Sequence, residues 1–131
     1  MPLDRPWFRD ALAAETAEAH LRAHVAGTRK VLERVAPITE VVAAAAATDP
    51  DVAELWQYDE DPRFTVQSAA ARSLMAKPGA SADVSPEGAA DVLYGLLGPE
   101  LFLLFVRDRG WSPQRWERWV LRALRTQLCD V

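Results

Sequence analysis

The stretch Ser85-Pro86-Glu87-Gly88-Ala89-Ala90-Asp91-Val92-Leu93-Tyr94-Gly95-Leu96-Leu97-Gly98-Pro99-Glu100-Leu101-Phe102-Leu103-Leu104-Phe105-Val106 decides the fold class. It opens on a helix-start signal: a serine N-cap, proline at the first helical position and an acid in the first turn. From Val92 the apolar residues leave almost no polar face, and Gly98-Pro99 marks a bend. Arg109-Gly110 predicts the stop, because glycine takes the left-handed conformation that helix ends prefer. Ser112-Pro113 repeats the start signal. After it, Trp116, Trp119, Val120, Ala123, Leu124, Gln127 and Leu128 form one stripe, with Arg115, Arg118, Arg122 and Arg125 off it.

Working outward, the upstream segments also read as helix. A short piece runs from about Asp4 to Ala14, with Pro6 in its first turn. Leu21, Val25, Thr28, Leu32 and Val35 recur at spacings of three and four, predicting a helix over about 17–35. Pro37 lacks an N–H, so a kink or a new start is expected near Ala36. Ala43–Ala47 is helix-favouring, and Asp49-Pro50 reads as an N-cap and first turn. Asp61-Pro62 repeats it within a helix expected to run on to Ala76. Lys77–Val84, with Pro78 and Gly79, reads as a loop. No segment alternates as a strand does. The expectation is one all-α domain over 1–131, a bundle of five to seven helices.

Composition fits that reading. The chain has 131 residues, half of them apolar and 26% charged, enough for one core. Its net charge of −4 conceals an asymmetry: six basic and twelve acidic side chains over 1–62, nine and seven over 63–131. That is not the dense basic surface of a stand-alone nucleic-acid binder. Cys129 is the single cysteine, which excludes an internal disulfide and fits a reducing, cytoplasmic setting. No leader of basic then apolar residues opens the chain. Val92–Val106, interrupted by Pro99 and Glu100, reads as too short to cross a membrane.

A helix apolar all round must be covered on every side, and so must its tryptophan-bearing neighbour. One reading makes the two a homodimer seam built from Leu93, Leu97, Leu101, Phe105, Trp116, Trp119, Val120, Ala123 and Leu124. The other is an ordinary central helix of a monomer. Large aromatics set among alanines either pack fully or leave a pocket. Trp56, Tyr58, Phe64, Met75 and His24 are the candidate ligand-binding residues, chosen on size and placement. The acids Asp59, Glu60 and Asp61 favour an apolar or aromatic ligand, uncharged to cationic.

His20 and His24, four apart, could chelate a metal with Asp10 or Glu15, but a histidine flanking an apolar stripe more often accepts one hydrogen bond. No metal or other cofactor is expected. Glu-x-x-His pairs of a di-iron bundle are absent. The serines Ser68, Ser73, Ser81, Ser85 and Ser112 sit in no nucleophile–base pattern, so the chain is read as not an enzyme. The junction from Arg107 to Pro113 superficially suggests a helix-turn-helix, but its second helix is apolar where a recognition helix must be polar.

Ser85–Tyr94, Gly98-Pro99-Glu100-Leu101, and Arg109-Gly110-Trp111-Ser112-Pro113 with Trp116 and Trp119 together resemble the TetR family of transcriptional repressors. The likeness is to their C-terminal effector-binding and dimerisation domain, and it runs from about Asp10 to Leu128. It implies an Ω-shaped all-α dimer joined through the last two helices, here about Pro86–Arg107 and Pro113–Leu128. It also implies an effector pocket enclosed by the earlier helices. In such regulators, inducer binding shifts the helix connecting the pocket to an N-terminal three-helix DNA-binding head. This chain starts after the place of that head, with Pro2–Ala14 resembling the connecting helix. DNA would then be reached only through a head this chain lacks. Two functions follow: the regulatory domain of a TetR-like regulator, or a naturally headless relative acting by heterodimerisation with full-length ones.

Overall fold

The computed structural model describes residues 5–51 and 62–130. Among them the architecture is all-α, in the order α1 (Pro6–Ala13), α2 (Ala17–Ala46), α3 (Pro62–Met75), α4 (Pro86–Leu96), α5 (Pro99–Leu103), a π-helical turn (Leu104–Asp108) and α6 (Pro113–Leu128). α2 is the central element: α1, α3, α5 and α6 all pack against it, while α4 pairs with α3 and touches α6.

The helix ends follow local chemistry. Thr16, Ser85 and Ser112 cap α2, α4 and α6, their hydroxyls accepting from the amides of Ala19, Gly88 and Arg115 at 3.0–3.1 Å. Pro6, Pro86, Pro99 and Pro113 occupy first-turn positions, where a missing N–H costs nothing. Gly110 stops the π turn at φ +74°. Asp49 Oδ1 accepts the Asp51 amide at 2.9 Å, the bond expected of an N-cap there.

Pro37 does not end α2, contrary to the expected kink or restart near Ala36: the helix is continuous to Ala46. Pro37 sits on the exposed face, so the carbonyl it orphans is left to water, while Ala36 beside it is fully buried. Beyond it, Glu40 is ion-paired to Arg107 of the π turn, which fastens the far half of α2 to the rest of the molecule.

The core gathers Phe8 and Ala11 of α1 and Leu21, Val25 and Leu32 of α2 with Ala70 and Leu74 of α3. Leu93 of α4, Phe102 of α5, and Trp116, Val120, Leu124 and Leu128 of α6 complete it. Phe102 meets Trp116 edge to face at 5.1 Å. The loop after α3 is a junction rather than a free connection. Lys77 Nζ donates to the carbonyls of Ala11 and Leu12 at 2.8 and 2.9 Å, satisfying the end of α1. Pro78 O accepts the Ala17 amide, Ser81 N–H donates to Leu128 O, and Asp130 N–H donates to Gly79 O.

Pro86–Asp108 forms a 23-residue helical run whose most apolar 18-residue window has a mean hydropathy of 1.6, long and apolar enough by those measures to cross a membrane. The stretch Val92–Val106, too short by sequence with Pro99 and Glu100 interrupting it, lies inside this longer run. In this molecule 44% of that window is buried.

Candidate ligand pocket

The structure opens a cavity of about 230 Å³ between the helices. Arg5, just before α1, and Trp7 of α1 line one side; α2 contributes Thr28, Val31, Leu32, Val35 and Thr39. Pro62, Arg63, Val66 and Gln67 of α3 face them. Tyr94, Leu97, Gly98 and Pro99, at the bend between α4 and α5, complete the wall. The α2 residues recur at three- and four-residue spacing, so they form one stripe of a helix that turns its next stripe to the core. The bend at Gly98-Pro99 keeps the apolar run from closing the space.

Trp7 is held in the wall by an unusually close approach. An added Cβ on Gly27 would lie 2.1 Å from the Trp7 ring, so only glycine at 27 lets the indole lie flat on α2. Trp7 also packs on Phe8 and His24, at ring separations of 5.7 and 5.9 Å. Across the cavity, Arg63 donates to the Tyr94 hydroxyl at 3.2 Å, lies over its ring, and pairs with Glu100 at 3.6 Å.

Among the uncharged polar side chains of the wall is Gln67, 8% exposed, whose Oε1 has no hydrogen-bond partner. Behind it stands His24, completely buried, with neither ring nitrogen bonded. Burial pushes His24 down to about 4, the Gln67 carboxamide beside it partly offsetting the effect. His20, one turn earlier, falls to about 3 through burial and then the nearby Lys77 cation, whose Nζ lies 2.9 Å from Nδ1. Both rings are therefore neutral at neutral pH, and a row of uncharged polar groups runs from the Lys77 ammonium to the cavity wall.

The sequence candidates fare unevenly. Trp56 and Tyr58 lie outside the described residues. Phe64 is 40% exposed, set edge to face on Tyr94 at 5.5 Å, and so supports the wall from outside. Met75 is half-buried against the core, away from the cavity lining. His24 does not line the cavity and stands behind Trp7 and Gln67, which do. The alanine run Ala43–Ala47 does not line the space, and among described lining residues the ionisable side chains, Arg5 and Arg63, are basic; the acids used to favour a cationic ligand lie outside the described residues. Trp7, Gln67 and Tyr94 were missed because no spacing connects residues on three separate helices. Among the described residues no three His, Cys, Asp or Glu side chains come together as a metal site.

The expected seam also needs correction. Leu93, Trp116, Val120 and Leu124 are fully buried within one protomer, and Leu97, 4% exposed, lines the cavity. Their own chain already covers them, so they are not available to a second copy. Leu101, Phe105 and Ala123 are half-buried, and Trp119 is 39% exposed. Together with Val92 and Leu96, Trp119 and Ala123 border a shallow outer groove between α4 and α6. Phe105 stacks on Trp111 at 4.2 Å and meets Trp119 at 5.2 Å, extending that face along the π turn.

Compared with known proteins, the chain matches no family model, no curated protein and no solved structure.

Proposed function

We propose that this chain is the effector-sensing and dimerisation domain of a TetR-like transcriptional regulator, cytoplasmic and without enzymatic activity. The observation that carries the reading is the apolar cavity walled by α1 as well as by α2, α3 and the α4–α5 bend. A ligand in that space touches Trp7 and therefore bears on the position of α1. In a regulator of this kind α1 is the element through which a DNA-reading head on its N-terminal side would feel the pocket. A ligand shifts such an equilibrium only by its preference for one α1 position over the other.

The outer groove of α4 and α6 supplies the second support. Val92, Leu96 and Trp119 present apolar surface beside Ala123, with Arg122 at the rim. A second copy related by a two-fold axis would cover both faces at once, forming a four-helix seam.

A native mass spectrum of the purified chain tests both parts. The expected species has about twice the 14.5 kDa protomer mass, and any captured effector adds mass lost on denaturation. Ala123→Glu places a charge on the outer groove and is expected to give a folded monomer, since an unpaired buried charge costs several kcal/mol. A wild-type monomer at micromolar concentration, or an unchanged dimer in the variant, overturns the seam.

A further inference from the structure

Five buried side-chain nitrogen or oxygen atoms lack a hydrogen-bond partner among the described residues, and four of them belong to His20, His24 and Gln67. Buried polar groups are nearly always satisfied, so a cluster of unsatisfied ones calls for a missing partner. Gln67 is the member of the cluster that borders the cavity. Its carboxamide offers both a donor and an acceptor, and turning the amide over exchanges which of them faces the cavity and which faces His24. Trp7, Val31, Leu32, Val35 and Val66 make the lining around it largely apolar. The other polar side chains of the wall are Thr28 and Thr39 of α2, Arg5, Arg63 and Tyr94.

We propose that the cavity takes an uncharged, mainly apolar molecule carrying one hydroxyl or amide group, and that Gln67 selects it by hydrogen-bonding that group. This rests on the pocket reading given above. A cationic group would meet no acid among the described lining residues. Of the two lining arginines, Arg63 is already paired with Glu100 while Arg5 is exposed to water, so a charge buried beside Gln67 gains little to offset its desolvation. A pure hydrocarbon would fill the space but leave the carboxamide unpaired. Size agrees: an apolar cavity of roughly 150 Å³ holds benzene, so one of about 230 Å³ holds a substituted single ring.

Ligand-observed NMR titrations with ethylbenzene, 4-ethylphenol and 4-ethylbenzoate test the assignment on the wild type, Gln67→Met and Val31→Trp. In Gln67→Met the affinity of the phenol relative to ethylbenzene is expected to fall about three- to tenfold, the worth of one neutral hydrogen bond. Ethylbenzene itself should bind the variant as well as or better than the wild type. Gln67→Leu carries the same comparison if Gln67→Met does not fold. An unchanged phenol-to-hydrocarbon ratio, or tighter binding of the benzoate than of the phenol by the wild type, overturns the role of Gln67 and leaves the pocket standing. No binding of any probe by the wild type, or binding undiminished when the Val31→Trp indole fills the cavity, overturns the pocket reading itself.

Discussion

Gly27→Ala sets two opposing effects against each other at one methyl group. In a helix interior, alanine is favoured over glycine by about 0.8–1.0 kcal/mol. Residue 27 lies inside α2, so with nothing above it the substitution would stabilise. The added Cβ, however, would stand 2.1, 2.2 and 2.6 Å from three atoms of the Trp7 ring, far inside van der Waals contact. These atoms, Cδ2, Cε3 and Cγ, belong to one rigid indole, so the ring must lift as a whole and α1 with it. Overpacking of this kind costs about 1–3 kcal/mol. The net expectation is a loss of up to about 2 kcal/mol, a fall in Tm of up to roughly 8 °C for a domain of this size. Urea unfolding followed by circular dichroism measures it. The decisive comparison repeats the substitution in a Trp7→Ala background, where the clash is gone and Gly27→Ala should stabilise by about 1 kcal/mol. The same sign in both backgrounds would refute the reasoning, because helix propensity alone would then account for the effect.

Acid should destabilise the fold in a defined window. The folded-state values of His20 and His24, about 3 and about 4, lie below the ordinary 6.5, so the unfolded chain binds more protons as pH falls. Stability is full above about pH 6.5 and declines toward pH 4, with a slope near pH 5 of up to about 2.7 kcal/mol per pH unit. Urea midpoints across pH 4–8 check this, and His24→Gln should roughly halve the slope; a flat profile contradicts the burial of both rings. Lys77→Met removes the ammonium that holds Ala11 O, Leu12 O and His20 Nδ1. We expect a loss of about 2–3 kcal/mol and faster amide exchange confined first to α1, and unchanged α1 protection would contradict the junction's role.

Helix starts and stops were legible because each is written in two or three adjacent residues. Ser85-Pro86, Ser112-Pro113 and Gly110 do in the structure what their chemistry dictates. The inward face of the last helix was harder to read. Trp116 and Trp119 sit on the same sequence stripe, yet Trp116 is fully buried and Trp119 exposed. A stripe wide enough for both cannot say which edge the core takes; that depends on where Phe102 lands. The continuation of α2 past Pro37 was invisible for a similar reason, since Glu40 meets Arg107 only in the folded molecule. The cavity was least legible of all. A single ring, Trp7, lies against Gly27 of one helix while facing Val66 and Tyr94 of two others, and none of these residues announces the others locally.

The segment that follows α3 carries a mechanical consequence. Between Lys77 and Ser81 the chain is bonded to the end of α1, the start of α2 and the last turn of α6. Load applied to Asp130 passes first into the antiparallel pair of bonds at Gly79 and Ser81, and from Pro78 straight to Ala17. A connection of this length ordinarily gives way first to proteases, but here Lys77 is engaged in three contacts and followed by Pro78, a bond trypsin leaves intact. The strap that ties both ends of the helical array together is thus also hard to cut. Severing it would release three helix termini in one stroke.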